Sequence, residues 1–125
     1  MRLYRLLALF VFGVFTQSSM AAELAHDEFL KAYFAPFIQQ TCAEQGIFMR
    51  CFTIAREECT RGVTQAYEIC QKDIARRMPE KIRSKHDAGY WGAQLSWCTS
   101  RRFSKTRKEQ LNDKQPNCKH LVLRR

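Results

Sequence analysis

The stretch CFTIAREECTRGVTQAYEICQKDIARRM, residues 51–78, decides the fold. Phe52, Ala55, Cys59, Val63, Ala66, Cys70 and Ile74 return every three or four positions. That spacing lays them along one stripe of an α-helix. Gly62 weakens the helix and Pro79 ends it. Three cysteines sit on this stretch, so its geometry also limits how the chain is cross-linked.

The cysteines are Cys42, Cys51, Cys59, Cys70, Cys98 and Cys118. An even number in a short exported chain reads as a disulfide framework. At about 1.5 Å per helical residue, Cys59 and Cys70 are roughly 16 Å apart, whereas bridged Cα atoms lie within about 7 Å. If residues 51–78 form one continuous helix, Cys51, Cys59 and Cys70 cannot pair with one another. Each then takes one of Cys42, Cys98 and Cys118. An antiparallel turn into a following helix brings Cys70 level with Cys98. The expected set is Cys42–Cys51, Cys59–Cys118 and Cys70–Cys98. The spacings C-x8-C, C-x7-C and C-x10-C contain no C-x-x-C pair, so neither a zinc site nor any other metal or cofactor is expected.

Working outward, residues 27–45 carry Phe29, Leu30, Tyr33, Phe34, Phe37, Ile38 and Cys42 at helical spacing. Asp27 is the expected N-cap, Gly46 the expected stop, and Pro36 an expected kink or break. A third helix is predicted from near Asp87 through Tyr90, Trp91, Leu95 and Cys98, ending near Leu111. Tyr90, Trp91 and Trp97 are expected mainly in the core, with Tyr90 and Trp97 on a different side from Trp91; exposure of one of that pair is the alternative, and an exposed Trp would point to a lipid or partner surface. Asn112, Pro116 and Asn117 read as a loop. Strand-like alternation is nearly absent. The fold class is therefore all-α: a small disulfide-stapled bundle of about three helices with an irregular basic C-terminal segment.

The chain opens with Arg2 and Arg5, then an apolar run from Leu6 to Phe15 and small residues near Ala21. This is the layout of a cleaved secretory signal, and the run is too short for a spanning helix, which needs roughly 20 residues. Residues 1–21 are read as the signal, and 22–125 as a single helical disulfide-rich domain, secreted or periplasmic and monomeric.

Charge is unevenly distributed. Residues 22–100 balance ten basic against ten acidic side chains, while residues 101–125 hold nine basic and two acidic. Arg101, Arg102, Lys105, Arg107 and Lys108 cluster around Phe103, and Arg124 and Arg125 end the chain. A second basic stretch spans residues 72–85. The expected partner is an anionic surface, above all membrane phospholipid headgroups, with Phe103 inserting among them. An acidic protein partner, as for a secreted effector or an inhibitor of an exported toxin, is the alternative. Nucleic acid is not expected, since Phe103 alone offers a stacking platform.

No G-x-S-x-G, H-E-x-x-H or phosphate-cradling glycine loop is present. The pattern His86-Asp87-Ala88-Gly89-Tyr90 resembles the His-Asp-x-Gly-Tyr stretch of small secreted phospholipases A2. That resemblance implies a calcium-dependent lipase with His86 as general base, Asp87 as calcium ligand and Asp113 orienting the histidine. Arg83, Ser84 and Lys85 stand where that family has a cysteine. Asp87 also has a structural reading, as N-cap of the third helix.

Overall fold

A computed structural model describes residues 23–123. The expected signal, residues 1–21, lies outside the described residues, as do Arg124 and Arg125. In chain order the elements are β1 (Leu24–Ala25), α1 (His26–Thr41), α2 (Ile47–Cys51), α3 (Arg56–Ala75), β2 (Lys81–Ile82), α4 (Lys85–Thr106), a 3-10 turn (Lys108–Gln110) and α5 (His120–Leu123). The architecture is a small disulfide-stapled helical bundle. Its one sheet among the described residues is the short antiparallel ladder of β1 on β2, with Leu24 opposite Ile82 and Ala25 opposite Lys81.

α1 begins two residues earlier than expected, with Ala25 rather than Asp27 at the N-cap position. It runs through Pro36 without a break. Proline removes the N–H that would bond the carbonyl of Ala32, but Pro36 and Ala32 are both exposed, so water can take that carbonyl. Gly46 does not stop α1, which ends at Thr41 with the Thr41 hydroxyl donating to the Phe37 carbonyl at 2.8 Å. Gly46 instead precedes α2 as its N-cap.

The helix expected over residues 51–78 forms only from Arg56 to Ala75 as α3, and Cys51 instead ends the separate α2. Phe52 is extended at φ −122°, ψ 139°, and it forms an isolated bridge with Leu111. The Thr53 amide donates to the Gln110 carbonyl at 2.8 Å, and the Asn112 amide to the Cys51 carbonyl at 2.7 Å. The segment after α4 thus sews itself onto residues 51–53 and holds them out of the helix.

That break corrects two of the three expected bridges. The disulfides are Cys42–Cys59, Cys51–Cys118 and Cys70–Cys98. Freed from α3, Cys51 faces the C-terminal segment and takes Cys118 instead of Cys42. Cys59, in the first turn of α3, meets Cys42 at the end of α1 instead of Cys118. Cys70–Cys98 ties α3 to α4 at a Cα separation of 5.9 Å.

α4 starts at Lys85, with Ser84 as N-cap accepting from the Asp87 amide at 3.1 Å. Asp87 is therefore in the first turn and is not the cap. Its carboxylate there favours the positive end of the helix dipole. The core gathers Phe29, Leu30, Phe37 and Ile38 of α1 against Val63, Tyr67 and Ile74 of α3. Tyr67 is fully buried and donates its hydroxyl to the Leu30 carbonyl at 2.9 Å. At the other end, Phe48, Phe52 and Phe103 form an aromatic cluster. Phe103 stacks on Phe48 at 4.5 Å and meets Phe52 edge-on at 5.2 Å.

Candidate binding face on the C-terminal half of helix α4

Leu95, Thr99 and Phe103 step by four along α4, and all three are fully buried. They turn the C-terminal half of the helix so that Arg101, Arg102 and Lys105 point to solvent, with Lys108 exposed on the following 3-10 turn. Lysine in the last turn also complements the negative end of the helix dipole. Among the described residues the ion pairs are His26–Asp27, Lys81–Glu23 and Arg107–Glu58. Arg101, Arg102, Lys105 and Lys108 belong to none of them.

Two residues expected on this face behave differently. Phe103 is not a surface residue: its ring is 0% exposed in the Phe48–Phe52 cluster, so it cannot insert into a membrane. An added Cβ at Gly62 of α3 would fall 2.9 Å from that ring, so the absence of a side chain there makes room for Phe103. Arg107 is partly buried and committed to Glu58 at 2.9 Å, while Gln110 also donates to Glu58 at 3.4 Å. Its job is to fasten the end of α4 to the start of α3.

The face has apolar neighbours. Trp97, expected mainly in the core, is 53% exposed, with the Arg101 guanidinium 5.2 Å from its ring centroid. Tyr90 is equally exposed. Seven residues apart, the two aromatics fall on one outward side of α4. Two grooves flank the helix end. One, of about 320 Å³, lies between α3 and α4 and is lined by Gly62, Ala66, Ile69, Arg102, Lys105 and Arg107 among others. The other, of about 290 Å³, includes Ile47, Trp97, Arg101, His120 and Leu121. The pattern that marks the first groove is visible in hindsight. Gly62, Ala66 and Ile69 step by four and three along the edge of α3's buried face, Ala66 belonging to the core stripe itself, with small residues opening a depression.

The second basic stretch is not continuous with this face. α3 and α4 are antiparallel, so Arg76, Arg77, Arg83 and Lys85 lie at the opposite end of α4, which is 22 residues long, about 33 Å. The expected catalytic set is also divided between the two ends of α4. His86 and Asp87 are in the first turn of α4, whereas Asp113 follows the 3-10 turn beyond its far end. Asp113 cannot orient His86, and the dyad implied by the phospholipase resemblance does not assemble. No cluster of three metal-capable side chains occurs among the described residues.

Fold and face together define a class: a small disulfide-stapled helical protein with a localised cationic face and no helix, among the described residues, long and apolar enough to cross a membrane. Residues 23–111 match the family described as the T2SS substrate NttA. The chain belongs to this family of type II secretion substrates, and it is a secreted or periplasmic protein. No curated protein and no solved structure matches it.

Proposed function

We propose that this exported protein is a non-enzymatic binding module that docks the C-terminal half of α4 on anionic membranes, engaging phospholipid headgroups. The observation that carries this reading is the set of four exposed cations, Arg101, Arg102, Lys105 and Lys108, with no carboxylate partner among the described residues. A Lys or Arg near an anionic leaflet contributes about 1 kcal/mol, so the set supplies roughly 4 kcal/mol of salt-sensitive attraction. Trp97 next to Arg101 adds an amphipathic ring suited to the headgroup region.

The test is charge reversal of the exposed set, Arg101→Glu, Arg102→Glu, Lys105→Glu and Lys108→Glu together, followed by co-sedimentation with phosphatidylserine-containing vesicles. Arg107 is left intact, because removing it would strand Glu58 and confound binding with folding. Loss of binding with an unchanged circular dichroism spectrum is the expected result. Undiminished binding would reject the proposal.

A further inference from the structure

We infer that the groove between α3 and α4 is a site for one lipid phosphate monoester, which would make phosphatidate-class lipids the preferred headgroup. This inference rests on the docking reading above and adds a discrete pocket to it. The groove's α3 side is Gly62, Ala66 and Ile69 with Gln65 among them, and its α4 side carries Arg102, Lys105 and Arg107. Ile69 is 44% exposed, an isoleucine with no core role. A mainly apolar side facing a cationic one suits an anion that carries a hydrocarbon chain.

Charge selects the kind of phosphate. The α4 side brings three cations together, and Glu58 on Arg107 offsets one. Two positive charges remain. A phosphate monoester has a second ionisable proton and carries up to two negative charges, the second drawn out by nearby cations, whereas the diester of an ordinary phospholipid carries one. Arg107 also has a buried Nε with no acceptor, a donor that its pairing with Glu58 leaves unused. The groove's volume of about 320 Å³ is at the low end for small-molecule sites, which span roughly 300–1,000 Å³. It suits a phosphate and the start of one chain, and is too small for a whole two-chain lipid.

The experiment has two arms. In the first, the oxidised protein is sedimented with phosphatidate vesicles and with phosphatidylserine vesicles matched in zeta potential. The additional contact predicts about fivefold stronger partitioning onto phosphatidate. Ile69→Glu should abolish that preference, while Ala93→Glu, an equal charge change on the exposed side of α4, should keep it. Equal partitioning of the wild type onto both vesicles would overturn the groove and leave surface docking standing. In the second arm, monomeric dihexanoyl phosphatidate is titrated by NMR against inorganic phosphate. Shifts at Ala66, Ile69 and Arg102 with the lipid, and weaker ones with phosphate alone, are expected. If these appear while no vesicle binds, the groove stands and the docking reading fails. Equal affinity for inorganic phosphate would overturn the assignment to a lipid, and no shift with either ligand would overturn the groove.

Discussion

Phe103→Ala separates the roles that sequence and structure give this residue. Phe103 lies between Arg102 and Ser104 in the most basic part of the chain, and reads there as a membrane-inserting side chain. The structure encloses its ring completely. Truncating a buried phenylalanine costs about 3–5 kcal/mol, and the lost stacking on Phe48 and edge contact with Phe52 favour the upper half of that range. For a domain of this size, 1 kcal/mol moves Tm by roughly 4–8 °C, so a loss of about 4 kcal/mol lowers Tm by roughly 16–32 °C. Urea unfolding followed by far-UV circular dichroism should show a much lower midpoint with little change in slope. Vesicle binding, measured cold where the variant is still folded, should be close to wild type. A variant as stable as wild type but unable to bind vesicles would refute the placement of Phe103 in the core.

Other predictions concern the scaffold. Gly89→Ala should stabilise the protein by about 0.5–1 kcal/mol, because helical glycine is costly and nothing lies within 4 Å of an added Cβ; Gly92→Ala should gain less or lose stability, since its Cβ would meet the Tyr33 ring at 2.8 Å. Burial raises the Tyr67 phenol well above its ordinary value of 10.0. Below that value the phenol is neutral in both states; above it the unfolded chain ionises first, so unfolding free energy should fall as pH rises past 10. Tyr67→Phe should flatten that alkaline decline while losing the hydrogen bond to Leu30, worth about 1 kcal/mol at neutral pH. Non-reducing peptide mapping should recover Cys51 linked to Cys118; a Cys42–Cys51 peptide would contradict the break before α3. Loop entropy makes removal of Cys51–Cys118, which closes 67 residues, cost about 4 kcal/mol, against about 3 kcal/mol for Cys42–Cys59, which closes 17.

The α3–α4 hairpin was legible because its signals are local. Val63, Ala66, Cys70 and Ile74 keep helical period, and the antiparallel turn at Pro79 sets Cys70 level with Cys98. The break at residues 52–55 was not legible. Phe52 and Ala55 keep the same period, no glycine or proline interrupts them, and the hydrogen bonds that pull them straight come from residues 110–112, more than fifty positions away. Two of the three disulfides, Cys42–Cys59 and Cys51–Cys118, depend on that single break. The cationic cluster at residues 101–108 was legible as composition, but which members are free was not. Phe103 continues the four-residue step of Leu95 and Thr99 into the core, a pattern masked by the charges around it. Arg107 is withdrawn by Glu58, a residue of another helix. The α3 side of the groove at Gly62, Ala66 and Ile69 acquires meaning only when α4 is laid beside it.

The most direct test of the central claim is co-sedimentation of the oxidised protein with neutral and with anionic vesicles, at low and at near-physiological salt. Docking through Arg101, Arg102, Lys105 and Lys108 predicts binding to anionic vesicles alone, weakened as salt screens the attraction. Equal binding to neutral vesicles, or no binding to anionic vesicles at low salt, would contradict it.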